Sequence, residues 1–354
     1  MTAPPASRHL ELAARHDEQG NHDEAINDLA RGTQAGDAHC ARLLGLRLFT
    51  GDRAPLLPEP GLRFLGEACD GGLPEAAARA AGLLALGLHM PANWPLALQW
   101  LTRSASQGWL PAQQQLLALC DNRQLALHAV QQTSIDWSTL ANAVQLDSWQ
   151  RSPALVIKSD EPRVAAVPQL LRTEVCQLLI DLVDRDRLMR AQVYDPIAQR
   201  NIVAAHRDNT LVTYDIHEVE LVHLLVQARM SAACGVPERH MEMPNLLHYW
   251  PGEQIRNHYD FVDPSSTPDY AAEIARNGQR VVTFLIYLND DYDGGTTDFP
   301  QLDISHRGTR GEGLFFINAL PDLSPDLRML HAGRPPTRGE KWLVTQFVRS
   351  RPTR

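Results

Sequence analysis

The sequence predicts a multidomain chain: an all-α helical-repeat solenoid followed by an α+β domain ending in a β-barrel or sandwich. Three observations predict it. A 36-residue period runs through the first third. The apolar pattern changes from helical to strand-like in the last third. The length, 354 residues, suits two or three domains at about 150 residues each. Hydrophobic residues make up 44% and charged residues 21%, ordinary globular usage that excludes global disorder and fibrous repeats.

The repeats come first. Gly36, Gly72 and Gly108 are each 36 residues apart. Ahead of them, at one shared offset, stand Ala25, Gly61 and Ala97, followed by Ile26, Leu62 and Leu98, and then by Leu29, Leu65 and Leu101. Four residues after each glycine stand Cys40, Ala76 and Ala112. The i, i+1, i+4 apolar positions supply one buried helix face, and a small residue at a fixed place lets a neighbouring helix approach. Each glycine suits a left-handed helix C-cap where the chain turns back. Such hairpins are stable only when stacked. The pattern resembles Sel1-like repeats, relatives of the tetratricopeptide repeat, over about residues 8–120, with an irregular loop at Leu56–Pro60. The resemblance implies a concave surface for a peptide or partner; packing on the rest of the protein or on a second copy is the alternative.

Residues 1–120 are therefore expected to form the repeat domain, 121–162 a partly helical connector with Trp137 and Trp149, and 163–354 the second domain. Within the last, Arg172–Val183 reads as an amphipathic helix with Val175, Leu178, Leu179 and Leu182 on one face, and His217–Cys234 as another. After Pro244 the segments Arg280–Asn289, Gly313–Asn318, Met329–Ala332 and Lys341–Val348 read as strands between Gly and Pro turns. Helices followed by many short strands imply an α+β domain.

Charge and cysteine usage exclude several classes. With 33 basic and 42 acidic residues the formal charge is −9, unsuited to general nucleic-acid binding. Neither a membrane-spanning apolar run nor a signal-peptide pattern at the start is read. The five cysteines form no C-x-x-C pair, so a reduced, cytoplasmic protein is expected. Only Lys158 and Lys341 are lysines; every other basic residue is arginine.

The chemistry points to His258-Tyr259-Asp260 on an expected strand, with His331 on another 73 residues later. Residues i and i+2 of a strand share a face, so His258 and Asp260 can present an imidazole and a carboxylate to one metal, with His331 as third ligand. Two histidines and one carboxylate with open positions are the facial triad of non-haem Fe(II) oxygenases. An H-x-D pair alone is weak, and the chain holds a rival, His206-Arg207-Asp208, and H-x-E at His16, His22 and His240. Ten residues after His331 stands Lys341, a point charge able to anchor a carboxylate deep in a pocket. Val282, Phe284, Ile286, Phe315 and Ile317 are expected to supply the apolar barrel wall, a reading compatible with simple core packing.

These motifs, with Leu247-His248-Tyr249-Trp250-Pro251-Gly252-Glu253, Thr283–Asp290, Gly294-Gly295-Thr296-Thr297-Asp298-Phe299-Pro300 and Leu330-His331-Ala332-Gly333-Arg334-Pro335 to Gly339-Glu340-Lys341-Trp342, resemble prolyl 4-hydroxylase-like 2-oxoglutarate/Fe(II) dioxygenases from about Arg163 to Arg351. The resemblance implies a double-stranded β-helix (jelly-roll) domain. It implies Fe(II) on His258, Asp260 and His331, 2-oxoglutarate on Lys341 with help from Tyr249, and L-ascorbate as reductant. It also implies hydroxylation of an unactivated C–H bond with O2, releasing succinate and CO2, on a prolyl or other residue of a protein or peptide docked by the repeats. Arg207 falls in a segment that in relatives lies on the substrate side. Ile255 replaces a second tyrosine and Thr296 an acidic residue, departures that bear on substrate identity. The alternatives are hydroxylation of a free amino acid or small metabolite, a repeat scaffold with an inactive barrel, and a cupin-like metal barrel, which would not need Lys341.

Overall fold

The computed structural model describes residues 8–132, 134–190, 192–195, 200–203, 207–265 and 268–354. The chain divides into two compact units, Met1–Leu146 with Ile216–Leu224, and Asp147–Asp215 with Leu225–Arg354.

The first unit is built from antiparallel helix pairs, including His22–Gln34 with Ala38–Thr50, Pro58–Asp70 with Glu75–Leu86, and Trp94–Ser106 with Leu110–Leu119. The repeat glycines end the first helix of each pair in left-handed backbone, with φ of 84° at Gly36, 94° at Gly72 and 93° at Gly108. The same two hydrogen bonds close each turn: Asp37 N–H donates to Gly32 O at 2.9 Å and Gly36 N–H to Thr33 O, and the pattern recurs at Leu73/Gly72 and Trp109/Gly108. This is the Schellman arrangement, and only glycine enters it without steric cost. The small repeat positions Ala25, Ala97, Cys40, Ala76 and Ala112 are fully buried, as are Leu29, Leu65 and Leu101.

Pro58 starts its helix at N1 after the irregular loop, and Leu57 provides no side-chain cap. Tight packing follows: a Cβ on Gly61 would lie 2.7 Å from Phe49 N and 2.8 Å from Gly45 O. Both obstacles are backbone, so neither can rotate away. Gly61→Ala is therefore expected to destabilise the protein by ~1–3 kcal/mol from overpacking, against a helix-propensity gain of about 1 kcal/mol. A denaturation midpoint at or above that of the wild type would contradict the close approach.

The second unit is a two-sheet sandwich of the jelly-roll type. The strands of its two main sheets are β1 (Val156–Ser159), β2 (Val164–Val167), β3 (Met189–Arg190), β4 (Thr210–Thr213), β5 (Asn245–Tyr249), β6 (Ile255–His258), β7 (Arg280–Tyr287), β8 (Thr297–Phe299), β9 (Ile304–His306), β10 (Gly313–Ile317), β11 (His331–Gly333) and β12 (Lys341–Arg349). The large antiparallel sheet runs β1-β2-β10-β7-β12-β5-β4-β3 and the small one β9-β8-β11-β6. Leu247, Tyr249, Leu285, Tyr287, Leu314, Phe316 and Leu343 of the large sheet meet Ile255 and Phe299 of the small one in a shared core.

That register corrects the expected barrel wall. Thr283, Leu285 and Tyr287 face the sandwich interior, so Val282, Phe284 and Ile286 face the opposite side, because side chains alternate along a strand. Phe284 stacks on Phe315 with ring centroids 5.5 Å apart. Their neighbour Gln346, paired with Phe284, accepts from Gln227 Nε2 at 2.7 Å, on the helix Leu221–Cys234. Strands also begin earlier than the sequence suggests, since β1 to β4 precede Pro244. The two expected helices are Thr173–Asp181 and Leu221–Cys234, an unanticipated helix runs Pro268–Asn277, and Met329 lies in a 3-10 turn before β11. No helix among the described residues is long and apolar enough to cross a membrane.

Candidate active site

The sandwich interior brings His258, Asp260 and His331 together. β6 and β11 pair so that His258 and His331 are directly opposite, with ring centroids 4.3 Å apart. Asp260 lies two residues past His258, just beyond the end of β6. One potential ligand atom from each residue lies within 4.8 Å of the others. His258 Nε2 is 3.3 Å from Asp260 Oδ1, and His331 Nε2 is 3.2 Å from Asp260 Oδ2.

Hydrogen bonding fixes how the imidazoles are presented. His258 Nδ1 lies 2.8 Å from Arg256 O and His331 Nδ1 3.0 Å from Met329 O. A carbonyl only accepts, so each Nδ1 carries a proton and each neutral ring offers its Nε2 lone pair toward Asp260. Lone pairs facing a carboxylate at these distances repel unless a positive charge lies between them, either added protons or a cation. Burial pushes Asp260 up, yet His331 and His258 hold its carboxyl well below the usual range. Burial also opposes the charge on His331, where Asp260 prevails and raises the pKa. On His258 burial and His331 together lower it. These N/O donors are the set that binds divalent iron, and the carbonyl partners are the orienting contacts that metal-binding histidines use.

Lys341 opens β12 opposite Tyr249. Its ammonium is fully buried, donates to Gly295 O at 2.6 Å, and lies 5.3 and 5.5 Å from the ring centroids of Tyr249 and Tyr287. Burial pushes its pKa down to about 7. Tyr287 is held by Thr297, with the two hydroxyl oxygens 2.8 Å apart. Lys341, Tyr249, Thr297 and the three clustered residues line one cavity of about 40 Å³. A buried cation with one neutral acceptor is suited to a carboxylate ligand.

Arg207, Leu247, His258, Asp260, Thr345 and Phe347 line both this cavity and a wider one of about 1160 Å³. Arg207 bridges to Ile255 of β6, and its Nε donates weakly to Asn209 Oδ1 at 3.4 Å. Asp208 lines neither cavity, and His206 lies outside the described residues. The wider wall also carries an ion-pair chain that sequence reading missed. Arg280 donates to both oxygens of Glu242, at 2.8 and 2.9 Å, and Arg349 joins Glu242 to Glu273. Burial opposes the Glu242 charge, but Arg280 and Arg349 keep its pKa low. Only adjacency to the strand motif around Thr283 could have flagged Arg280.

Residues 244–349 match the family model described as the 2OG-Fe(II) oxygenase superfamily. Among curated proteins, the chain is 32% identical to probable prolyl 4-hydroxylase 9 of Arabidopsis thaliana over 139 residues, covering 35% of this chain and 46% of that one. It is 28% identical to Arabidopsis prolyl 4-hydroxylase 1 over 233 residues, covering 61% and 78%. The chain thus spans about half the length of the first relative and more of the second. Among solved structures it is similar to the viral collagen prolyl hydroxylase of Paramecium Bursaria Chlorella virus-1 in complex with 2OG, at 22% identity and a TM-score of 0.41, covering 52% of this chain and 94% of that one. With the donor set and the buried lysine in place, the C-terminal part of this chain matches the 2OG-Fe(II) oxygenase superfamily over residues 244–349 and is similar in sequence to prolyl 4-hydroxylases.

Proposed function

We propose that the protein hydroxylates an unactivated C–H bond of a protein or peptide, prolyl residues first among the targets, using Fe(II), 2-oxoglutarate and O2. One observation carries the reading: two Nε2 lone pairs and a carboxylate converge beside a buried ammonium in one cavity. His258, Asp260 and His331 hold the iron. When bound, iron with 2-oxoglutarate and O2 supplies oxidative decarboxylation to succinate and CO2 coupled to C–H hydroxylation. Lys341 anchors the far carboxylate of the cosubstrate, and the Tyr249 hydroxyl assists it. L-ascorbate serves as reductant. A cytoplasmic setting is part of the reading, on cysteine spacing alone.

Cavity size supports a peptide over a free amino acid. At about 1160 Å³ it exceeds the roughly 300–1,000 Å³ of small-molecule sites. Its apolar lining, including Met189, Leu211, Met243, Phe261 and Leu327, suits a prolyl ring within an extended segment. Arg207 offers donors to a backbone carbonyl of that segment. The names of the curated relatives point the same way, and the helical repeats are the proposed docking surface for a whole-protein substrate.

Succinate formation by the full chain, with Fe(II) and ascorbate, tests this against proline-containing peptides, whole host proteins and free amino acids. Peptide or protein turnover with a one-oxygen mass gain is expected; free amino acids processed equally well would favour the metabolite reading. Tyr249→Phe is expected to raise half-saturating 2-oxoglutarate about 2- to 10-fold, the worth of one hydrogen bond. An unchanged value would remove Tyr249 from the cosubstrate site.

A further inference from the structure

Asp260 is the proposed ligand that the sheet does not hold directly, since β6 ends at His258. A chain of side chains reaches it from the large sheet instead. Thr283 Oγ1 lies 2.8 Å from Asp260 Oδ2, and Asn318 Nδ2 lies 2.9 Å from Thr283 Oγ1. Proton counting gives the chain one direction. The carboxylate only accepts, so the single Thr283 hydroxyl proton goes to Asp260, and Asn318 must then donate an N–H to Oγ1. This orientation leaves Asn318 Oδ1 buried with no hydrogen-bond donor among the described residues.

Both relay residues are anchored. Thr283 lies inside β7, paired with Phe316 on one side and Phe347 on the other, and is 1% exposed. Asn318 follows β10; its backbone N–H donates to Val281 O at 2.8 Å and its carbonyl accepts from Asp326 N–H at 3.0 Å. Rotation of the Asp260 carboxylate therefore breaks a buried hydrogen bond that cannot follow it.

We propose that Thr283, oriented by Asn318, is a positioning residue that sets the Asp260 carboxylate for metal binding. The inference rests on the metal reading above. Orienting contacts of this kind are typically worth roughly 10–100-fold in metal affinity.

The test is Co(II) titration of the full chain, followed by visible absorption, without cosubstrate. Thr283→Val keeps the shape and removes the donor; Thr283→Ser keeps the donor. The Val variant is expected to weaken Co(II) binding roughly 10–100-fold, while Ser stays within about threefold of the wild type. Asn318→Leu is expected to weaken binding in the wild-type background but to add little to Thr283→Val, because the two act through one bond chain. Wild-type Co(II) affinity in Thr283→Val overturns the proposal. So does an equal loss in Val and Ser that follows thermal stability, since that is the mark of a packing role. Co(II) binding by the wild type that survives His331→Ala would instead overturn the metal reading itself.

Discussion

Lys341→Met is expected to raise half-saturating 2-oxoglutarate by about 30-fold or more. Truncating one partner of a buried charge pair costs about 2–5 kcal/mol, and 1.4 kcal/mol is tenfold. Methionine fills the channel of the lysine stem, so the loss reports the ammonium rather than a collapsed core. A pH signature goes with it. Burial pushes Lys341 down to about 7 from an ordinary 10.5, so above pH 7 the ligand-free protein has largely released this proton. A bound carboxylate favours the charged form, and binding then takes a proton up. Cosubstrate affinity should fall as pH rises from about 7 toward the ordinary lysine range, by up to about tenfold per unit.

The stability sign is opposite in the ligand-free protein. Between about 7 and 10.5 the unfolded chain holds the proton that the folded chain has lost, so this group makes folding more favourable as pH rises through that window. Half-saturation measured from pH 6.5 to 9 separates the cases. A sloping profile in the wild type and a flat one in Lys341→Met support the assignment; the same slope in both would place the titrating group elsewhere.

The larger effect belongs to the proposed metal ligands. His331→Ala removes an imidazole with its Nε2 3.2 Å from Asp260, and the expected loss of turnover exceeds the roughly 10–100-fold typical of orienting contacts alone. The fold should persist. His331 sits in the short strand β11, and the shared core around it is built from larger apolar residues. A variant with normal thermal stability and no succinate formation is the expected result.

Features set by local chemistry were readable before the structure. Gly36, Gly72 and Gly108 announce left-handed turns because few other residues tolerate them, and Cys40, Ala76 and Ala112 mark close helix contacts by size. The pairing of His258 with Asp260 was readable from spacing, although Asp260 lies just past the strand. Other features depend on contacts distant in sequence. β2 is buried throughout, so its residues Val164–Val167 show no alternation to mark a strand. β7 is buried along most of its length, so the apolar run Val282–Ile286 does not say which alternate set faces the site. The hydroxyls of Thr283 and Tyr287 were the available cue, and a one-residue choice of face reverses every assignment. The partners of Asp260 and Glu242 come from strands far along the chain, and no spacing rule brings Asn318 to Thr283 or Arg349 to Glu242.

The most direct measurement is parallel quantification of succinate and of one-oxygen mass gain on a proline-containing peptide, in wild type and His331→Ala. Equal molar amounts of both products from the wild type, and neither from the variant, are predicted. Product formation by His331→Ala at the wild-type rate would contradict a reaction centred on His258, Asp260 and His331.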